Sequence, residues 1–224
     1  MSDQAPALFI DVYSDVICPW CYVGKRRLER ALAQLHGAVQ TQVRWRPFQL
    51  NPTMPKEGID RKTYLEAKFG GAAAAQAIYG QVARAGDEEG IPFAFDRIAR
   101  TPNTFAAHRL IWLAGHQGKQ DEMVETLFRR YFVEGQDIGN VEMLSHAAVD
   151  AGLDGTGIEA FLAGDEGAEQ VRPEEASGRR LGIRGVPYFV LNGAHALSGA
   201  QPPEQFLAAF RQIKAGSVVG KAGA

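Results

Sequence analysis

The chain has 224 residues, of which 46% are hydrophobic and 22% are charged, and its formal net charge is −2. This composition is typical of a folded globular protein, and the lack of a basic surplus argues against a nucleic-acid partner. The opening stretch MSDQAPALFIDVYSDV has no basic segment followed by an apolar one, so it does not read as a secretion signal. No run of about 18 apolar residues indicates a membrane span. We therefore expect a cytoplasmic protein.

The first third of the chain predicts a strand, a helix and a second strand. Residues 8–13 are rich in β-branched and aromatic side chains, which favour a buried strand. Apolar residues then recur at helical spacing to about residue 35, and His36-Gly37 ends that pattern. Residues 42–46 alternate and lead into prolines. A strand, helix and strand in this order predict two parallel strands joined by a crossover.

The middle of the chain, residues 55–181, predicts helices. The predicted helices cover residues 63–69, 72–85, 104–116 with Asn103 as N-cap, 122–133, 141–151, a turn in GIEAFLAG, and 166–181 around Pro173. The stretch is too long and too periodic for a linker, so we interpret it as an all-helical insertion.

The last part returns to strands and closes with a helix. An apolar strand follows Pro187, an Asn-Gly turn leads to a short strand at residues 196–198, and Pro202 or Pro203 opens a helix. We expect a discontinuous domain of residues 1–54 and 182–215, an insertion domain of residues 55–181, and a flexible tail at residues 216–224. The predicted order is βαβ, a helical block, and ββα.

The only two cysteines, Cys18 and Cys21, lie in the stretch SDVICPWCYVGK. A zinc site needs about four ligands, and the five histidines stand at no ligand-like spacing, so we expect no metal. A structural disulfide is improbable in a reduced cytosol. The alternative without chemistry is that the two cysteines serve only as small apolar residues in a loop. The spacing favours the third use of such a pair, a dithiol that cycles with a disulfide.

The position of the pair supports redox chemistry. Cys18 falls at the start of the predicted helix, where free backbone N–H groups and the helix dipole stabilise a thiolate. Pro19 suits the first helical position. We expect Cys18 to be the exposed attacking sulfur and Cys21 to resolve the mixed disulfide. Trp20 would narrow access to the sulfurs, and we expect Pro19 and Trp20, together with Val186 and Pro187, to contact the substrate.

Val186-Pro187 is the second candidate element of the site. The plain interpretation is a proline at a strand entry, and the alternative is a cis peptide bond. A cis bond near the thiolate would present the backbone N–H and C=O of Val186 to an incoming chain and would keep a second metal ligand away from Cys18.

Several stretches together resemble one family. They are SDVICPWCYVGKRRLERAL, WRPFQLNPTMP, YLEAKFG, TPNTFAAHRL, RRLGIRGVPYFVLNG and SGAQPPEQF. The chain resembles the DsbA-like oxidoreductases of the thioredoxin fold, and in particular their FrnE-type branch. The resemblance implies that Cys18 is the nucleophile, that Cys21 is the resolving thiol, that Pro187 is a cis-proline, and that the insertion covers the dithiol.

The same superfamily includes 2-hydroxychromene-2-carboxylate isomerases and kappa-class glutathione transferases, which generally carry serine at the position of Cys18. They hold glutathione with a Ser-Asp pair where this chain has Ser198-Gly-Ala-Gln. A glutathione-dependent isomerase or transferase acting on aromatic small molecules is therefore the second hypothesis. A non-catalytic binding or chaperone-like module is the third.

The remaining candidates depend on the insertion facing the dithiol. Asn103 and His108 would then line the substrate cleft, as would Arg109, Phe48 and Gln49, although a helix cap and a histidine on a helix face are the simpler interpretation. We assign Asp15 as a turn residue rather than a proton acceptor.

The direction of the reaction follows from the redox potential of the compartment. DsbA itself lies near −120 mV, and the cytosolic glutathione poise is roughly −220 to −320 mV. A gap of about 130 mV is roughly 6 kcal/mol, so a similar dithiol would be almost wholly reduced in the cytosol. We expect a disulfide reductase or isomerase that acts on protein or small-molecule disulfides, has no bound cofactor, and takes glutathione as a candidate co-substrate. A homodimer remains an open alternative to a monomer.

Overall fold

The computed structural model describes residues 7–35 and 39–219, and for residue 7 and residues 214–219 it describes the backbone alone. His36 and Gly37, which were predicted to end the first helix, lie outside the described residues, as do residues 220–224 of the predicted tail. The last helix continues to Val219, so residues 216–219 of that tail are helical.

A four-stranded mixed sheet forms the thioredoxin-like part. The strands in chain order are β1 (Ala7–Ser14), β2 (Gln40–Pro47), β3 (Ile59–Asp60), β4 (Arg100–Thr101), β5 (Tyr188–Leu191) and β6 (His195–Ser198). The sheet order is β2-β1-β5-β6, with β1 parallel to β2 and both other pairs antiparallel. Asn192 and Gly193 both have positive φ (49° and 68°), as the predicted tight hairpin turn requires.

Nine helices are present among the described residues. They are α1 (Pro19–Ala33), α2 (Arg61–Phe69), α3 (Ala72–Glu88), α4 (Phe105–His116), α5 (Gln120–Phe132), α6 (Val141–Asp150), α7 (Ile158–Ala163), α8 (Ala168–Arg180) and α9 (Pro203–Val219). None of them is both long enough and apolar enough to cross a membrane.

The insertion is not all-helical, which corrects the sequence-based expectation. Strands β3 and β4 pair antiparallel, and a 3₁₀ turn covers Phe95–Arg97. Two-residue strands are too short to leave a periodic pattern in the sequence, so they could not be predicted.

The N-cap of α4 lies one residue later than predicted. Thr104 stands at the N-cap, and the side chain of Asn103 accepts the Phe105 N–H at 2.9 Å.

Contacts with α5 fix the position of α1. The Tyr22 ring stacks on Phe128 with a centroid distance of 5.0 Å, and its hydroxyl donates to Glu125 at 2.8 Å. Lys25 is buried, and its ammonium group pairs with carboxylates of both helices. The helix that begins directly after Cys18 and contains Cys21 is therefore attached to the insertion as well as to the sheet.

Candidate active site

The two cysteines occupy the turn from β1 into α1. Cys18 is the N-cap residue with extended backbone angles, and Pro19 stands at the first helical position. The Cys18 N–H donates to the Asp15 carbonyl at 2.9 Å, which closes the turn. The Cys18 side chain makes no capping hydrogen bond to this helix start. Cys18 therefore stands at the positive end of the helix dipole, where an anion is favoured.

The loop before β5 meets the same turn. The Cys18 thiol donates to the Val186 carbonyl at a Sγ–O distance of 3.4 Å, and the Val186–Pro187 peptide bond is cis. The Pro187 carbonyl accepts the Gly199 N–H at 2.8 Å, which ties the loop to the residue directly after β6. Two segments 168 residues apart in sequence thus come together at one sulfur.

The two thiols have different surroundings. Both are free, and 5% of Cys18 and 1% of Cys21 is exposed. The expectation of an exposed Cys18 is wrong, because side chains of α2 and α3 of the insertion lie over Cys18 across a small cavity. Burial raises the pKa of the Cys21 thiol well above its ordinary value, and the neighbouring Cys18 adds to this rise. Cys21 is therefore a protonated thiol at neutral pH.

A cavity of about 210 Å³ opens at Cys18. Cations and aromatic rings of α2 and α3 line it, together with the dithiol turn. Its walls are formed by Ile17, Cys18, Pro19, Trp20, Leu50, Arg61, Tyr64, Lys68, Phe69, Ile78, Tyr79, Val82 and Thr101. The cavity is thus apolar with a cationic side, which suits a substrate that carries both a sulfur and an anionic group.

Arg61 is the functional candidate that the sequence did not indicate. It is 5% exposed, and its Nη1 donates to the Tyr131 hydroxyl at 2.9 Å. Nη2 is buried and has no hydrogen-bond partner among the described residues, and the same holds for Thr101 Oγ1 on the same cavity. An arginine at the first position of a predicted helix gives no signal of burial. Its role depends on how α2 packs over Cys18.

The structure brings some predicted site residues to this cavity and not others. Pro19 and Trp20 line it, and Val186 and Pro187 adjoin it through Cys18. Phe48 is buried in a separate cluster with Tyr13 and Ile183.

Asn103, His108, Gln49 and Arg109 also lie away from the walls of the cysteine cavity. The Asn103 side chain donates to the Met54 carbonyl at 2.7 Å. His108 Nε2 faces Asp15 Oδ1 at 3.5 Å. The Gln49 backbone N–H donates to the carboxylate of Glu175. The Arg109 guanidinium donates to carbonyl groups at the end of α7 and just beyond it.

No group of three or more His, Cys, Asp or Glu side chains in the described part of the chain is arranged to hold a metal ion.

Comparisons with known proteins identify the family and the fold. A family model described as a DSBA-like thioredoxin domain matches residues 9–211. A probable DsbA oxidoreductase from Streptomyces coelicolor is 36% identical, with 92% of this chain and 89% of that chain covered and a TM-score of 0.83.

Two more distant structures share the fold. A 2-hydroxychromene-2-carboxylate isomerase is 17% identical, with 96% and 100% coverage and a TM-score of 0.71. The cytosolic disulfide reductase DsbM from Pseudomonas aeruginosa is 21% identical, with 91% and 97% coverage and a TM-score of 0.60, and it has also been solved with GSH.

Proposed function

The chain belongs to the family of DSBA-like thioredoxin domains, and we propose that, within the thiol–disulfide oxidoreductase and isomerase chemistry of that family, it is a cytosolic disulfide reductase or isomerase. The observation that carries this proposal is the placement of Cys18. Its sulfur lies at the N-terminus of α1, 3.4 Å from the Val186 carbonyl and at the mouth of a cavity. The positive end of a helix stabilises a thiolate, and the cavity beside the largely buried Cys18 gives a substrate disulfide a path to its sulfur.

The reaction runs in two exchanges. The Cys18 thiolate attacks one sulfur of a substrate disulfide, so a mixed disulfide forms and the other substrate sulfur leaves as a thiolate that takes a proton. Cys21 then loses its proton and attacks Cys18. The Cys18–Cys21 bond forms, and the second substrate sulfur leaves with the electron pair. The substrate is reduced by two electrons and the protein dithiol is oxidised by two.

The backbone beside the dithiol supports the docking of an extended substrate. The Val186 carbonyl points at Cys18, and β5 continues directly from Pro187. A substrate segment that lies along this loop would pair with its backbone in the manner of an added strand. Its disulfide would then stand in front of Cys18.

Reduction of insulin by a small thiol tests the proposal. We expect the wild-type protein to accelerate the reaction, the Cys18→Ser variant to give only the background rate, and the Cys21→Ser variant to accumulate mixed disulfides. A Cys18→Ser variant as active as wild type would refute the proposal. Conjugation of glutathione to an aromatic electrophile that survives Cys18→Ser would favour the isomerase or transferase hypothesis instead.

We also propose that glutathione, a small anionic thiol peptide, reduces the Cys18–Cys21 disulfide. Two glutathione molecules would restore the dithiol and leave as glutathione disulfide. Arg61 and Lys68 give the cavity at Cys18 a positive charge, and Arg61 Nη2 and Thr101 Oγ1 have unused hydrogen-bonding capacity there. A carboxylate of the peptide would satisfy the buried guanidinium.

The Arg61→Met variant tests this assignment. Loss of a hydrogen bond to a charged group costs about 1.5–3 kcal/mol, so the KM for glutathione should rise about tenfold or more. The rate with the uncharged thiol β-mercaptoethanol should stay within about twofold. Lys62→Met is the matched control, because the neighbouring Lys62 is exposed and does not line this cavity. Equal losses with both thiols would assign Arg61 a purely structural role.

A further inference from the structure

The outer edge of β2 carries backbone groups that no other strand of the described residues pairs with. The sheet order β2-β1-β5-β6 makes β2 an edge strand. Just beyond β2, the Phe48 N–H donates to the Ser14 carbonyl of β1 at 3.2 Å. Successive residues of a strand direct their N–H and C=O groups to opposite edges, so the even-numbered residues of β2 pair with β1 and the odd-numbered residues face away from it. Thr41, Val43 and Trp45 therefore present their backbone groups at the outer edge.

One position on this edge already has a strand-like partner. The side-chain amide of Gln120, the first residue of α5, accepts the Trp45 N–H at 2.8 Å and donates to the Trp45 carbonyl at 3.2 Å. These are the two hydrogen bonds that a residue on an opposing strand would make. Val43, two residues earlier, has no such partner among the described residues. Its N–H and C=O are therefore available to another chain.

A cavity of about 600 Å³ lies along this edge and gives access to it. Six consecutive residues of β2, 42–47, line the cavity, a span of about 17 Å at about 3.3 Å per residue. The other wall carries Ile111 and Trp112 of α4 and Val124 of α5. None of the lining residues lines the cavity at Cys18. The edge thus opens into a separate groove that fits an extended segment of about six residues.

The Asp, Glu and Arg side chains of the groove already have partners. They form the ion pairs Arg44–Asp11, Arg46–Asp11, Arg46–Glu174, Asp121–Lys25 and Glu122–Lys119. The Ser14 hydroxyl and His108 Nε2 also line the groove, are buried, and have no hydrogen-bond partner among the described residues. A charged ligand would lose hydration here without meeting a free counter-charge, whereas uncharged polar groups would complete these hydrogen bonds.

We propose that this groove binds an extended, uncharged peptide segment of a partner protein, which adds to β2 as a further strand. The segment pairs with the N–H and C=O of Val43 and places an apolar side chain against the wall of α4 and α5. In this mode of recognition the main-chain hydrogen bonds supply affinity and the side-chain contacts supply specificity. The groove does not involve the dithiol, so the inference goes beyond the proposed function.

Titration calorimetry with designed peptides tests the chemistry of the ligand. The probe is a six-residue peptide of threonine and valine with one central phenylalanine, acetylated and amidated so that its ends are uncharged. Two analogues carry N-methyl groups on either set of alternate residues. Because only one edge of an added strand pairs with β2, we expect one analogue to bind about tenfold or more weakly than the probe and the other to bind like the probe. Glutamate in place of the phenylalanine should weaken binding at least as much.

The Val43→Pro variant tests the place of binding. Proline is tolerated on an edge strand and removes only the outward N–H, so the affinity for the probe should fall by about three- to tenfold, the effect of one hydrogen bond. Thr41→Pro is the matched control, because Thr41 faces the same edge but does not line the cavity, and its affinity should stay within about twofold. Cys18→Ser should bind the probe like wild type.

Hydrogen exchange in the unmodified protein gives a second measurement that needs no variant. The Val43 N–H should exchange about tenfold more slowly when the probe saturates the protein. Equal affinities of the probe and both N-methylated analogues, or no change in exchange at Val43, would overturn the proposal. So would a dimer in sedimentation that Val43→Pro dissociates, since the edge would then belong to a second copy of the chain. Loss of insulin reduction in wild type would refute the proposed function and leave these outcomes unchanged.

Discussion

Cys18 and Cys21 are three residues apart, yet their sulfurs meet different surroundings. Cys18 borders a cavity and contacts the Val186 carbonyl, whereas Cys21 is enclosed by the protein. Burial disfavours the charged thiolate, which is why the pKa of Cys21 is raised. The nucleophile and the resolving thiol are thus distinguished by access and solvation.

Alkylation of the reduced protein measures this difference. With iodoacetamide at pH 7, we expect the label on Cys18 long before it appears on Cys21, because the raised pKa keeps Cys21 protonated and burial restricts access to it. Peptide mass spectrometry gives the two rates. In the Cys18→Ser variant Cys21 should remain slow. Equal labelling of both cysteines would contradict the assignment of roles.

At the scale of elements, the backbone of α1 at Gly24 packs directly against Pro187 and against Phe189 of β5. A Cβ on Gly24 would lie 3.0 Å from Cγ of Pro187 and 3.2 Å from Cζ of Phe189. Both neighbours are constrained, since Pro187 is a ring next to the Cys18 contact and Phe189 is fully buried. Because glycine has no side chain, α1 can approach Pro187 this closely at Gly24.

The Gly24→Ala variant tests this packing. Alanine favours a helix over glycine by about 1 kcal/mol, but overpacking of a tight contact costs about 1–3 kcal/mol. We expect a net loss of stability of roughly 1 kcal/mol in urea denaturation, together with slower insulin reduction. Gly80→Ala on α3 is the control, because its Cβ would meet only Arg84 Nη1 at 4.0 Å. It should gain stability. If Gly24→Ala were stabilised to the same extent, the packing argument would be wrong.

At the scale of the whole molecule, a feature could be predicted from the sequence when the residues that form it are close together along the chain. The strand before Cys18 and the helix after it follow from local patterns, and the Asn192-Gly193 turn follows from its residue types. The contact of Asp15 with His108 joins residues 93 positions apart, and nothing near either residue indicates the other. The same holds for Arg61, which reaches the dithiol only because α2 lies over it. Asp15 is part of a turn, as predicted, but the packing of α4 also buries its carboxylate.

One cluster of charges joins the two parts of the molecule. Lys25 and Arg26 on α1 pair with Glu125 on α5, and the Tyr22 hydroxyl donates to the same carboxylate. Burial alone would raise the pKa of Glu125, but Lys25, Tyr22 and Arg26 together hold it below its ordinary value. A carboxyl group with a lowered pKa in the folded state stabilises the protein above its unfolded pKa and loses that effect as the pH falls.

The pH dependence of stability therefore reports the attachment of α1 to the insertion. The contribution of Glu125 should be complete at neutral pH and should fade below about pH 4.5, its ordinary value. Urea denaturation of Glu125→Gln should show a clear loss of stability at pH 7 and a smaller difference from wild type at pH 3.5. The exposed Glu159→Gln should match wild type at both values. If the difference for Glu125→Gln grew on acidification, the ion cluster would not be what joins the dithiol helix to α5.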